Sequence, residues 1–151
     1  MKIIRNSNQL IEYIKAYRSN IGFIPTMGGL HEGHLSLIAK AKSKKVKTLV
    51  SIFINPTQFN NKKDFKSYPK NFNNDIKILK QVNPNVLFIP KKKDIYNTKI
   101  KKKIKIDKFS KSLCGKYRPN HFEGVVDVID KFLQFIKPKY IFLGIKDFQQ
   151  L

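Results

Sequence analysis

Short runs of consecutive apolar residues constrain the fold of this chain most strongly. The run Thr48–Ile54 (TLVSIFI) is rich in β-branched residues and lacks a polar face, which is typical of a strand buried on both sides. Similar runs occur at Ile21–Pro25, Val86–Ile89 and Tyr140–Leu143. Helical segments separate these runs. The pattern therefore predicts βαβ units and an α/β fold, with an open parallel sheet that carries helices on both faces.

Apolar residues at helical spacing fill the segments between the predicted strands. Leu10 and Ile14 follow a candidate capping residue, Ser7, and predict the first helix. Further helices are predicted at 34–44, 75–81 and 125–136. The lysine-rich segment 99–105 alternates with isoleucines, which favours a short exposed strand, and the lysines of 91–93 indicate a solvated loop or face.

The charge of the chain raises the question of nucleic-acid binding. Its formal net charge is +21, and 28 of its 31 cationic residues are lysine. Base readout and paired phosphate contacts favour arginine, so biased codon usage explains the lysines better, although a basic nucleic-acid-binding module remains an alternative. The single cysteine, Cys114, cannot form an internal disulfide, which indicates a reducing compartment. Neither a membrane-spanning run nor a signal peptide is evident, and we expect a cytoplasmic protein.

The segment PTMGGLHEGH (Pro25–His34) joins a predicted strand to a predicted helix. Ligands of open parallel sheets bind beyond the carboxyl ends of the strands, which places a candidate site here. Gly28 and Gly29 permit a tight turn, and the start of the helix would offer unpaired N–H groups to an anion. His31 and His34 share a face and can donate hydrogen bonds to phosphate. Zinc is an alternative ligand of the two imidazoles, but the other histidine and the cysteine lie far along the sequence.

Four segments together resemble those of one enzyme family. Pro25–His34 resembles the HIGH-type motif of nucleotidyltransferases in the form found in pantothenate synthetases. Ser51–Phe59 (SIFINPTQF), Gly115–Ile129 (GKYRPNHFEGVVDVI) and Leu143–Leu151 (LGIKDFQQL) resemble three further motifs of that family, in the same order and with similar spacing. The resemblance implies a Rossmann-like domain of the nucleotidyltransferase type, with residues 1–151 forming the N-terminal nucleotide- and pantoate-binding domain.

The resemblance also implies a reaction. Pantothenate synthetases use ATP and Mg²⁺ to convert pantoate into a pantoyl-adenylate, releasing pyrophosphate. The amine of β-alanine then attacks this intermediate and gives pantothenate and AMP. Members of the family are usually cytoplasmic homodimers, and no membrane or nucleic-acid partner is implied.

Roles for individual residues follow from the matched motifs. His34 stands in the proton-donor position, with His31 as its catalytic neighbour. Gln58 and Gln150 would bind pantoate, and Gln58 would also contact β-alanine, because an amide offers both donors and acceptors. Asp75 is a candidate Mg²⁺ ligand. The ATP-binding residues implied are Met27, Gly28, Gly29, Leu30, His31, Glu32, Gly33, His34, Gly144, Ile145, Lys146 and Asp147.

Arg118 and His121 lie in RPNHFEG, which would either cover the substrate pocket or hold a loop. Ile145 and Asp127 depart from the family pattern, where Glu and Thr are usual. The sequence also stops directly after QQL, whereas family members continue with a phosphate-clamping Ser/Arg loop and a C-terminal lid domain. We therefore expect that activity requires that missing part. A catalytically inactive nucleotide-binding remnant is the main alternative.

Overall fold

A computed structural model describes residues 1–17, 20–96, 116 and 121–150, although the side chains of Lys62 and of residues 148–150 are outside that description. A parallel sheet of five strands, in the order β1-β4-β3-β2-β5, forms its centre. The strands are β1 (Lys2–Ile4), β2 (Ile21–Thr26), β3 (Lys47–Ile52), β4 (Val86–Phe88) and β5 (Tyr140–Ile141). The predicted open parallel sheet is thus confirmed, and its order places β2 and β3 side by side at the centre.

The described part of the chain also contains six helices and two short 3-10 turns. The helices are α1 (Ser7–Lys15), α2 (Glu32–Ser43), α3 (Lys62–Ser67), α4 (Phe72–Val82), α5 (Lys92–Tyr96) and α6 (His121–Ile136). The 3-10 turns are Pro56–Gln58 and Ile145–Gln150. None of the helices in the described ranges is long and apolar enough to span a bilayer.

The sheet separates two apolar cores, which confirms helices on both faces. On one face, α1, α5 and α6 pack their apolar sides against the sheet, with Phe23, Phe88 and Phe132 at the centre. On the other face, α2 and α4 contribute Ile38 and Leu79 to the second core. Because both faces are covered, the central strands need apolar residues at every position, and this produces the continuous runs seen in the sequence.

Several local predictions need correction. The cap of α1 is Asn6, whose side chain accepts a hydrogen bond from the Gln9 N–H, and Ser7 is the first helical residue. The helix predicted from residue 125 begins at His121. The lysines of 91–93 are exposed, which confirms the predicted solvated face, and α5 begins at Lys92. The strand predicted at 99–105 lies outside the described residues.

Candidate active site

The carboxyl ends of β2, β3 and β5 surround a cavity of about 470 Å³. Residues that follow β2 form one side of it, including His31 and His34. Gln58, in the 3-10 turn after β3, contributes a second side, and Lys146 and Asp147, which follow β5, contribute a third. The site therefore lies where the topology of an open parallel sheet places ligands.

The Asp75 side chain, which comes from α4, fixes the backbone turn at residues 28–30, the glycine turn. Its carboxylate accepts hydrogen bonds from the N–H groups of Gly29 (3.1 Å) and Leu30 (2.9 Å), and the residue is only 2 % exposed. Gly28 and Gly29 have φ values of 84° and 63°, which favour glycine. A Cβ on Gly28 would also lie 2.8 Å from an Asp75 carboxylate oxygen. The turn is thus fixed by a carboxylate that comes from another helix.

The expectation of unpaired N–H groups at the start of α2 is wrong for Gly33 and His34, whose N–H groups donate to His31 Nδ1 and to the His31 carbonyl. The N–H groups of the preceding turn are occupied as well. The N–H of Gly28 donates to Thr26 Oγ1, and those of Gly29 and Leu30 donate to Asp75. The N–H groups of His31 and Gly33 are also occupied, in each case by an imidazole nitrogen. An anion at this turn would therefore rely on side-chain donors rather than on these backbone groups.

The two histidines of the motif form a reciprocal pair at the start of α2. Their ring centroids are 4.2 Å apart. His31 Nδ1 accepts from the Gly33 N–H at 3.1 Å, and His34 Nδ1 accepts from the His31 N–H at 3.4 Å. A neutral imidazole that accepts at Nδ1 carries its hydrogen on Nε2. Both rings line the cavity and offer Nε2–H as a donor, although His31 is the N-cap of α2 and lies just before its first turn.

The surroundings of His34 keep its ring neutral. Burial is the main cause, and electrostatic interactions with His31 and Lys146 add to it, so that the pKa of His34 falls from 6.5 to about 4. Asp147 and Asp75 oppose this decrease. At neutral pH the His34 ring is thus a hydrogen-bond donor without charge.

We expect acid to weaken the fold through His34. The unfolded chain takes up this proton near its ordinary pKa of 6.5, whereas the folded chain does so only near the pKa of about 4. Between these values the unfolded state binds more protons, so the free energy of unfolding decreases as pH falls from 6.5 towards 4. Urea unfolding of the wild type and of His34→Gln over this range measures the effect. A similar pH dependence in both proteins would contradict the assignment.

Gln58 connects the 3-10 turn after β3 to the turn that follows β2. The residue is 8 % exposed, and its side-chain amide nitrogen lies 2.7 Å from Met27 Sδ. The turn that carries it is fixed by Asn55, which is 1 % exposed. The Asn55 amide donates to the Gly124 carbonyl at 2.9 Å and accepts from the Tyr96 hydroxyl at 2.8 Å. The position of Gln58 is therefore determined by contacts with α5 and α6.

The structure brings many of the predicted site residues together. The cavity is lined by Met27, Gly28, Gly29, His31, His34, Gln58, Lys146 and Asp147. Leu30, Glu32, Gly33 and Gly144 belong to the same two segments without lining it, and Ile145 is 94 % exposed. The side chain of Gln150 lies outside the described residues, as does Arg118. The roles of these residues stay predictions.

The described residues give little support to a metal held by protein ligands alone. Among them, no three His, Cys, Asp or Glu side chains cluster as a metal site would require. Both oxygens of Asp75 already accept backbone hydrogen bonds, so its predicted Mg²⁺ role stays a prediction. Asp147 is the carboxylate at the cavity wall.

Other lining residues were missed in the sequence. Tyr68 and Pro69 border the cavity, and burial together with the Asp75 charge raises the pKa of the Tyr68 hydroxyl. The apolar wall comes from α6, with Val125 and Val128 among its residues. Helical periodicity marked α6 as amphipathic, but periodicity alone does not show that part of its apolar side borders a cavity.

Comparison with known proteins decides the family. The family model described as pantoate-beta-alanine ligase matches residues 2–151. The chain belongs to the pantoate-β-alanine ligase family. A pantothenate synthetase of Francisella tularensis subsp. novicida is 49 % identical over 138 residues, covering 89 % of this chain and 52 % of the relative. That of Leptospira biflexa is 42 % identical over 148 residues, covering 97 % and 52 %. The chain thus spans about half the length of these relatives.

Solved ligases of this family share the fold. A pantoate-β-alanine ligase from Francisella tularensis, complexed with β-γ ATP and β-alanine, superposes with a TM-score of 0.91 at 44 % identity, covering 99 % of this chain and 59 % of that one. Pantothenate synthetase from Thermus thermophilus gives 0.89 at 30 % identity, with 99 % and 54 % coverage. The predicted family and fold are confirmed, whereas the homodimer stays a prediction.

Proposed function

We propose that this chain binds ATP and pantoate in the cavity and forms a pantoyl-adenylate. This is the first half of an ATP-dependent condensation of pantoate with β-alanine, which releases pyrophosphate and then AMP. The observation that carries the proposal is the shared cavity, where the paired imidazoles, Gln58 and Lys146 face one space. The Francisella ligase, whose complex contains an ATP compound and β-alanine, supports the choice of substrates.

In this proposal the imidazoles act as neutral donors. Nε2–H of His31 and of His34 would bind phosphate oxygens and stabilise the charge that develops as pyrophosphate leaves. The low pKa of His34 keeps this role unchanged across neutral pH. The Lys146 ammonium adds a compact positive charge to the cavity wall. The Gln58 amide would orient pantoate, so that its carboxylate reaches the α-phosphorus.

The cavity also fits a cation that accompanies the nucleotide. Mg²⁺ is usually held by one or two carboxylates together with substrate phosphates and waters. Asp147 would be its protein ligand here, since it lines the cavity next to Lys146. When bound, the ion would neutralise phosphate charge and orient the phosphates.

Adenylate formation at its full rate needs more than the described cavity. The chain spans 52 % of its curated relatives, and we propose that residues 1–151 form the nucleotide- and pantoate-binding domain. Further phosphate donors and a lid would come from the remaining length. Closure of such a lid excludes water from a reactive acyl-adenylate.

Loss of ATP affinity in a charge-matched pair of variants tests the proposal. Lys146→Met is expected to raise the Kd for ATP by about tenfold, because a hydrogen bond to a charged group contributes about 1.5 kcal/mol or more. Lys40→Met removes the same charge from the exposed last turn of α2 and should leave the Kd nearly unchanged. Isothermal titration calorimetry of both variants separates a local contact from general attraction to a chain of charge +21. Equal effects of the two variants would contradict a site at Lys146.

Adenylate formation is the second measurement. Labelled pantoate is incubated with ATP, Mg²⁺ and the chain, with and without a supplied C-terminal segment from a relative. Labelled pantoyl-adenylate supports the proposal. ATP binding with no adenylate under either condition would indicate an inactive remnant. DNA binding that weakens steeply with salt and survives His34→Ala would instead indicate a nucleic-acid-binding module.

A further inference from the structure

His121 is a third histidine at the cavity, and its contacts differ from those of the other two. It is the first residue of α6, and its Nδ1 lies 2.8 Å from the Gln58 carbonyl oxygen. A carbonyl only accepts hydrogen bonds, so the hydrogen must be on Nδ1. In the neutral ring Nε2 then keeps its lone pair. His121 therefore has the opposite tautomer from His31 and His34.

The position of this ring puts it on the substrate side of the cavity. It lines the main cavity together with Gln58 and Met27, and all three also line an adjoining cavity of about 350 Å³. Within the described residues, the Gln58 carbonyl is the hydrogen-bond partner of the ring. The Nε2–H donors of His31 and His34 thus lie at the turn after β2. The Nε2 acceptor of His121 lies beside Gln58, the residue proposed to bind pantoate and β-alanine.

We propose that His121 Nε2 is the general base of the second half-reaction, an inference that rests on the proposed function. A primary ammonium has a pKa of about 10, so β-alanine must lose a proton to solvent before it attacks. Its nitrogen lone pair then forms the C–N bond with the acyl carbon of the adenylate. His121 Nε2 takes the second nitrogen proton. The bond between the acyl carbon and the phosphate oxygen breaks, AMP leaves with that electron pair, and the imidazolium returns its proton to solvent.

The hydrogen bond to Gln58 explains why this ring suits the role. The Nδ1–H donor fixes the orientation of the imidazole, as the third group of a catalytic triad does for its histidine. The same contact holds the Gln58 backbone. His121 would then have two roles: it holds Gln58, which is proposed to bind pantoate, and it removes the amine proton. An experiment has to separate these two contributions.

His121→Asn makes that separation. The asparagine amide can still donate to the Gln58 carbonyl from near the Nδ1 position, but it places no acceptor where Nε2 was. The chain is supplied with synthetic pantoyl-adenylate and β-alanine, so that no ATP step is needed. We expect the wild type to accelerate aminolysis, and His121→Asn to lower the rate at saturating β-alanine by about 10²- to 10⁴-fold. The KM for β-alanine should change little.

Each other outcome overturns the inference. An unaltered rate in His121→Asn, or a raised KM with an unaltered kcat, would leave only a positioning role. Absence of acceleration by the wild-type chain would also overturn it, and the ATP titration shows independently whether the proposed function fails as well. Nitrogen-15 NMR of the imidazoles gives a test without turnover: we expect the hydrogen on Nδ1 in His121 and on Nε2 in His31 and His34. A hydrogen on Nε2 of His121 would overturn the assignment.

Discussion

Asp75→Ala is expected to lower the free energy of unfolding by about 2–4 kcal/mol, because two buried N–H groups lose their acceptor and each unsatisfied group costs about 1–3 kcal/mol. The groups are those of Gly29 and Leu30, which donate to a carboxylate that is 2 % exposed. Urea denaturation measures the loss. Glu12→Gln is the matched control, since it also removes one negative charge but lies on the exposed side of α1, and it should change stability by less than about 0.5 kcal/mol.

The milder Asp75→Asn separates two roles for this residue. Its amide keeps one acceptor and sets an NH₂ group against the second backbone N–H, so the glycine turn should open part of the time. The affinity for ATP then falls in proportion to the fraction of molecules whose turn is closed, and we expect the Kd to rise about tenfold. Since this loss arises in the backbone, it should be equal with Mg²⁺ and with EDTA. A loss seen only with Mg²⁺ would show instead that Asp75 is a metal ligand.

Hydrogen exchange provides a direct measurement on the turn itself. In the wild type, the amides of Gly29 and Leu30 should be protected, and Asp75→Asn should expose them while leaving the amides of β3 protected. Unchanged protection at both positions would contradict the role of the carboxylate in holding the turn.

Much of the fold follows from local patterns, and the exceptions have physical causes. Buried parallel strands need apolar residues at every position, so the run around Val50 was recognisable from the sequence. β1 has only three residues and pairs at the edge of the sheet with β4, and so short a segment gives no periodic signal. α3 has six residues and α5 has five, so these helices are also too short to give a periodic signal.

The site shows a similar division. The glycine turn and the paired imidazoles come from one contiguous segment, and the closeness of the two rings could be predicted from spacing. The acceptor of the turn could not, because Asp75 is 45 residues beyond Leu30 along the chain and only the packing of α4 brings it near. Which ring nitrogen of each histidine carries the hydrogen could not be predicted from the sequence either, since it depends on the partner of Nδ1 rather than on residue type.

The substitution Gly124→Ala is expected to have the second large effect, on stability and on the affinity for pantoate. It lies in α6 where that helix crosses the turn carrying Gln58, and a Cβ there would be 2.7 Å from Gln58 N and from the Thr57 carbonyl group. These neighbours are backbone atoms, so no side chain can rotate away. Gly124→Ala must therefore shift either the helix or the turn, and we expect the amide of Gln58 to move from Met27.

Two opposing contributions, helix propensity and steric overpacking, determine how Gly124→Ala changes the free energy of unfolding. Alanine in a helix interior is favoured over glycine by about 0.5–1 kcal/mol. Overpacking of a tight contact costs about 1–3 kcal/mol. We expect the steric term to prevail, with a net loss of about 1–2 kcal/mol in urea denaturation and a weaker affinity for pantoate. Gly144→Ala is the control, because its Cβ would meet Lys146 Cγ at 3.5 Å, an ordinary contact, and should leave stability nearly unchanged. A more stable Gly124→Ala protein would show that propensity outweighs the contact, and that α6 does not determine the position of Gln58.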